Sequence, residues 1–313
     1  MPNVASTVWS KIIDFKWFLG LMVVLVAGAF LYMPCGTSSA GKDANSMLVS
    51  TSWLAEHLKD PRLVIITVGQ RPAYDAGHIP GARFVEMSAI ATSAPGATLE
   101  IPPVEKLKSA FEDLGISNSS RIVICFLASY VSPSTRVYFT LDYLGLGAQT
   151  SLLDGGFEAW RAEGKPVTTE APQISRGSIT ARPRPELIVD AAWVSQNTNK
   201  PKIAIVDART PEFYSGANAG RMPRAGHIPG SVNIPFNTLA DASNKLKDSQ
   251  TLQKLLSEAG VKQGDQIVSY CHIGQQATVV YFVAKYLGYD ARLYDGSFED
   301  WSKRSELPVV GPK

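Results

Sequence analysis

The sequence predicts a tandem α/β fold, each half a parallel sheet with helices on both faces, and three observations lead there. Short apolar, β-branched runs alternate with stretches of helical period. Two motifs recur in the same order: "AGHIPGARF" (Ala76 to Phe84) returns as "AGHIPGSVN" (Ala225 to Asn233), and "LLDGGFEAW" (Leu152 to Trp160) returns as "LYDGSFEDW" (Leu293 to Trp301). The 313 residues, 45% of them hydrophobic, provide material for about two domains of ordinary size.

The elements follow one order in both copies. The first runs through a helix-like "TSWLAEHL", the strand "LVIITV", the GHIPG turn, the helix "VEKLKSAFEDLG", the strand "RIVICF", the helix "TRVYFTLDYLG" and the strand "SLLD". The second runs through "DAAWVSQN", "IAIVDA", GHIPG, "LQKLLSEAG", "QIVSYC", "QATVVYFVAKYLG" and "ARLYD". Such alternation makes parallel sheets buried on both sides. Gly115, Gly145, Gly260 and Gly288 follow helical runs as C-caps. The expected boundaries are 47–168 for the first domain, 169–186 for a Pro- and Thr-rich linker, and 187–311 for the second domain.

Residues 1–40 stand apart. Lys11 and Lys16 precede an apolar stretch from Trp17 to Met33, broken by Pro34. Its length lies between a secretory h-region and a minimal membrane span, so it reads as a signal peptide cleaved after Ala40 or as an uncleaved anchor. Either reading exports the rest to a periplasmic or other extracytoplasmic location, and an uncleaved segment makes the membrane a partner. Pro34 beside Cys35 argues against lipid attachment. Only Cys35, Cys125 and Cys271 occur, so no disulfide framework is indicated and a thiol is left free to react. The net charge is +2, without a basic run interleaved with aromatics, which argues against nucleic acid as a partner.

Cys271 directly follows an apolar strand and opens the short loop "CHIGQQ", which leads into a helix near Ala277. Ligands collect at this end of a parallel sheet. Loop amides and the helix N-terminus can converge there on an anion, and such a setting turns a thiol into a thiolate nucleophile. Gly274 supplies the freedom a tight loop needs. The bland alternative is a cysteine packed as a small hydrophobe.

With its paired GHIPG turns, paired "DG(G/S)F-x-x-W" motifs and single cysteine loop in the second copy, the chain after residue 47 resembles a tandem-domain rhodanese, a family of sulfurtransferases. The resemblance implies that Cys271 takes a sulfane sulfur from a small anionic donor, carries it as a persulfide and passes it to a thiophilic acceptor such as cyanide, with no metal or organic cofactor. It implies donor contacts from His272, Ile273, Gly274, Gln275 and Gln276, and from Arg221 and Arg224, which lie in an insertion unique to the second copy. For each arginine the alternative is an ordinary solvated surface.

His272 is the one readily ionisable side chain of the loop after the nucleophile, available for anion binding or proton transfer. The same resemblance implies thiosulfate rather than 3-mercaptopyruvate as donor, because bulky residues such as His272 and Ile273 follow the cysteine in thiosulfate-using members, although the neutral Gln275 and Gln276 depart from those members' strongly basic loops. The first copy is expected to be catalytically silent: Phe126 falls where Cys271 stands, Cys125 falls one place earlier and faces the opposite side, and Thr67 replaces Asp207. Asp207 and Arg209 are expected to hold the sheet edge to its adjoining loop, and the histidines and tryptophans of the repeated motifs to be structural. Two competing classes remain. A phosphatase of the same fold places an arginine six positions after its cysteine, where this chain has Ala277. A non-catalytic or sulfur-relay module is the other.

Overall fold

The computed structural model describes residues 47–94, 97–127 and 131–312, which lie within one compact unit. The expected signal or anchor lies outside the described residues. Among those described, no helix is long and apolar enough to cross a membrane.

The first half builds a five-stranded sheet from β1 (Leu48–Val49), β2 (Leu63–Val68), β3 (Arg83–Phe84), β6 (Arg121–Phe126) and β7 (Thr150–Leu153), in the order β1-β7-β6-β2-β3 and parallel throughout. Between β3 and β6 lies a separate antiparallel hairpin, β4 (Thr92–Ala94) and β5 (Ala97–Glu100). The second half repeats the sheet with β8 (Ile188–Val189), β9 (Ile203–Asp207), β10 (Val232–Asn233), β11 (Gln266–Tyr270) and β12 (Asp290–Tyr294), in the matching order β10-β9-β11-β12-β8. Local chemistry repeats as well. Ser50 caps the helix Thr51–His57 by accepting from Trp53 N at 3.1 Å, and Asp190 caps the helix Ala191–Asn197 by accepting from Trp193 N at 2.7 Å. The two-residue edge strands and the hairpin are absent from the sequence prediction because runs this short show no alternation.

Each sheet packs its outer face against its own apolar cluster, around Trp160 in the first half and Trp301 in the second. The inner faces share one core. At its centre the helix Ser132–Tyr143 of the first half lies against the helix Ala277–Tyr286 of the second. Thr135 bonds to Thr278 at 2.8 Å and Ser132 to Gln275 at 3.3 Å, and Lys285 donates to Asp142; each pair is 143 positions apart, so each residue meets its own repeat counterpart across a pseudo-two-fold axis. The aromatic contacts obey the same symmetry. Tyr138 meets Phe282 edge-on with centroids 4.8 Å apart, and Phe139 meets Tyr281 at 4.9 Å.

The linker is strapped to the first half. Buried Glu112 accepts from Ile179 N at 2.8 Å and from Arg176 Nη2 at 3.0 Å, while Arg182 N and Arg184 N donate to the carbonyls of Leu144 and Tyr143 that end the Ser132–Tyr143 helix. Its prolines and polar composition describe a segment without its own core, which gains order from these bonds.

Candidate functional site around Cys271

β11 ends at Tyr270, so Cys271 stands at the carboxyl edge of a central strand, and the loop 271–276 joins it to the Ala277–Tyr286 helix. Three of the loop's carbonyls face outward. Cys271 O accepts from Phe298 N at 3.0 Å, His272 O from Glu299 N at 2.9 Å, and Gly274 O from Arg136 Nη1 at 3.3 Å. In a trans peptide the next N–H points opposite to the carbonyl, so the amides of His272, Ile273 and Gln275 turn to the loop interior. None of the amides of residues 272–277 has a protein acceptor among the described residues. With the N-terminus of the following helix behind them, they form a nest of unsatisfied donors suited to an anion. Gly274 enters the turn at φ +81°, where a side chain is both strained and obstructed: a Cβ there meets Asp295 O at 2.8 Å and Asp295 Oδ1 at 2.9 Å.

The thiol itself is 0% exposed. Beneath it, Arg209 and Asp207 form a buried pair, Nη2 to Oδ2 at 2.6 Å, and Arg209 also donates to Gly226 O at 2.7 Å. Burial alone lowers the guanidinium's pKa, but the bonds and charge of Asp207 override it, so Arg209 stays charged. This pair ties the sheet edge to the GHIPG turn. In the first half Thr67 takes the place of Asp207, pairing with Cys125 as Asp207 pairs with Tyr270.

Two further side chains matter that sequence reasoning passed over. Ser297 holds the left-handed conformation, φ +54°, which a non-glycine residue adopts only when its surroundings compel it. Its Oγ donates to Tyr294 O at 2.9 Å and accepts from Cys271 N at 3.2 Å. The motif copies held the signal, because Ser297 is the residue at which DGSF differs from DGGF. Arg136 is the second; it comes from the other half and is wholly buried.

At the equivalent place in the first half, Gly156 has φ +59° and leaves space filled by the ring of Phe126, which lies 2.7 Å from the position of an added Cβ. The pair Phe126 and Gly156 thus replaces Cys271 and Ser297. Cys125 belongs to the outer core of its half and Cys271 to the shared inner core, on opposite faces as strand alternation requires. Burial pushes the Cys125 thiol far above its usual range.

The residues singled out from sequence do not all gather here. Ile273, Gln275 and Gln276 are half-buried in the loop; Gln275 Nε2 donates to Ser132 Oγ, and the buried Gln276 Oε1 has no donor among the described residues. His272 meets the ring of Phe213 edge-on at 4.5 Å, and burial, then the charge of Arg209, push its pKa down to about 4. Its imidazole is neutral near pH 7 and offers a hydrogen bond, not a cation. Arg224 is placed otherwise than expected: its guanidinium donates to the carbonyls of Trp301, Ser302, Arg304 and Leu307 at 2.7–2.9 Å, closing the C-terminus of the helix Ser297–Lys303. Its five donors are largely occupied by main chain, which leaves it little to offer a donor anion. Arg221 is exposed, with no side-chain partner among the described residues. His78 and His227 play matching structural roles, stacked on Tyr74 and Tyr214 with Nδ1 at those residues' carbonyls.

Comparison with known proteins agrees with this architecture. The family model of the rhodanese-like domain matches residues 50–163 and again 190–304. A sulfur carrier protein of Thermus thermophilus is 31% identical over 84% of this chain and 96% of its own length. The thiosulfate sulfurtransferase of Azotobacter vinelandii is 29% identical over 84% and 96%, and the 3-mercaptopyruvate sulfurtransferase of Escherichia coli 28% over 85% and 98%. Among solved structures, the anaerobic ergothioneine biosynthesis enzyme from Chlorobium limicola superposes with a TM-score of 0.76 at 21% identity, over 87% of this chain and 71% of that one, a likeness of fold.

Proposed function

Because the chain belongs to the rhodanese-like family and carries its domain twice, we propose that it is a sulfurtransferase whose second half alone performs the chemistry. The observation that carries this reading is the loop 271–276, with the carbonyls of Cys271, His272 and Gly274 held outward and its amides left for an anion. In the first step the Cys271 thiolate attacks the outer sulfur of thiosulfate; a Cys–S–S bond forms, the S–S bond of thiosulfate breaks, and sulfite leaves with the electron pair. In the second step cyanide or a thiolate attacks the outer persulfide sulfur and Cys271 departs as thiolate. Charge stays on sulfur throughout, so the same inward amides stabilise the resting thiolate and the persulfide.

Thiosulfate is the donor we assign, on the bulk of His272 and Ile273. The neutrality of the whole loop, with an uncharged His272 beside Gln275 and Gln276, also fits 3-mercaptopyruvate, so donor choice is the quantity to measure. Initial rates of thiocyanate formation should give parallel double-reciprocal lines, the mark of ping-pong transfer, with a larger kcat/KM for thiosulfate than for 3-mercaptopyruvate. Absence of turnover with both donors overturns the reading. Release of phosphate from an aryl phosphate favours the phosphatase class instead. We propose further that residues 17–33 deliver the chain across a membrane; an alkaline phosphatase fusion after residue 46 is expected to be active, and an inactive fusion contradicts export.

A further inference from the structure

Arg136 is a fully buried arginine contributed by the half that performs no chemistry. Its guanidinium bridges three segments: Nη1 donates to Asp295 Oδ1 at 2.5 Å and to Gly274 O at 3.3 Å, and Nη2 donates to Leu99 O in the β4–β5 hairpin. Asp295 completes the joint by accepting from Ile101 N at 2.9 Å. Much of this is mirrored across the pseudo-two-fold axis, since Asp154, the counterpart of Asp295, accepts from Leu246 N at 3.1 Å. The arginine is not mirrored. At the spacing that relates the two central helices, Arg136 corresponds to Val279, so the central helix of the second half carries no guanidinium at the matching position. A buried ion pair brings little net stability over apolar residues of similar volume. Its presence on one side only therefore calls for a role that only that side needs.

We propose that Arg136 is a positioning residue for the nucleophile loop: by binding Gly274 O it holds the 274–275 peptide with the Gln275 amide turned inward, and so lets the first half set the anion affinity of the loop that carries Cys271. The proposal rests on the sulfurtransferase reading for its kinetic consequence but not for its geometry. Loss of this hold removes one inward donor from the nest and loosens the others, which weakens stabilisation of sulfur anions more than it weakens donor capture.

The test uses the full chain as wild type, Arg136→Lys, and Arg136→Met/Asp295→Asn, the last removing both charges so that neither is buried alone. The pH dependence of iodoacetamide alkylation at Cys271 is read by peptide mass, alongside kcat and KM for thiosulfate. In the double variant the alkylation midpoint is expected to rise by about one pH unit, and kcat to fall about 10- to 100-fold with KM within about threefold. Arg136→Lys, whose single arm reaches Asp295 without the second bond, falls between. A double variant that folds with wild-type midpoint and kcat overturns the proposal. If the double variant does not fold, Arg136→Lys decides: equality with wild type in both measurements overturns the role of the Gly274 bond. A wild type that alkylates normally but transfers no sulfur defeats the sulfurtransferase reading instead, and the midpoint shift still reports on Arg136.

Discussion

Ser297 combines a costly backbone angle with two hydrogen bonds at the end of the strand that leads into Cys271. Its left-handed backbone favours glycine by about 1 kcal/mol, while its hydroxyl satisfies both Cys271 N and Tyr294 O. Ser297→Ala keeps the strain and loses both bonds, so urea unfolding should place it about 1 kcal/mol below Ser297→Gly, the reverse of the usual preference for alanine. Both variants should transfer sulfur about tenfold more slowly through the freed Cys271 amide. His272 gives a pH signature. An unfolded chain protonates it near 6.5, the folded chain only at about 4, so between those values the unfolded state binds more protons and stability falls as pH drops. Wild type should therefore lose more stability than His272→Phe between pH 7.5 and 5, and transfer should show no limb from this residue between about pH 6 and 8. The place of Cys271 between strand and helix was legible. Ser297 was not, because its value lies in a backbone angle that a sequence does not display.

At the scale of elements, the central strands and long helices were readable because apolar period and glycine caps agreed along each one. The insertion before the second GHIPG turn was harder. Arg221 and Arg224 look alike in sequence, yet one stands exposed and the other closes a helix end through four carbonyls. Arg224→Met should lower stability by about 2–4 kcal/mol in a urea titration while leaving KM for the donor unchanged in the folded fraction. A raised KM with unchanged stability contradicts this assignment. The turn at Gly274 is equally specific. Gly274→Ala forces a Cβ against Asp295 and should abolish transfer with a loss of about 2 kcal/mol or more.

The whole molecule behaves as a dimer of domains fused in one chain, its halves joined by residues that meet their own counterparts. The charged pair breaks the symmetry. Asp142 is buried and holds Lys285, Arg184 and the Tyr281 hydroxyl together, so the two halves fit each other better than either fits a copy of itself. Asp142→Asn should cost about 2–4 kcal/mol, since it leaves cations partly buried without their carboxylate; a double cycle with Lys285→Met should recover part of that loss. The repeat made this duplication legible, but the axis through Thr135 and Thr278 emerges only when the helices are packed. The proposed sulfur transfer requires that Cys271 alone accept sulfur. Intact and peptide mass measurement after exposure to thiosulfate decides it: a gain of one sulfur is expected on the Cys271 peptide, removed by cyanide and absent in Cys271→Ser, whereas an unmodified protein, or sulfur found on Cys125, rules it out.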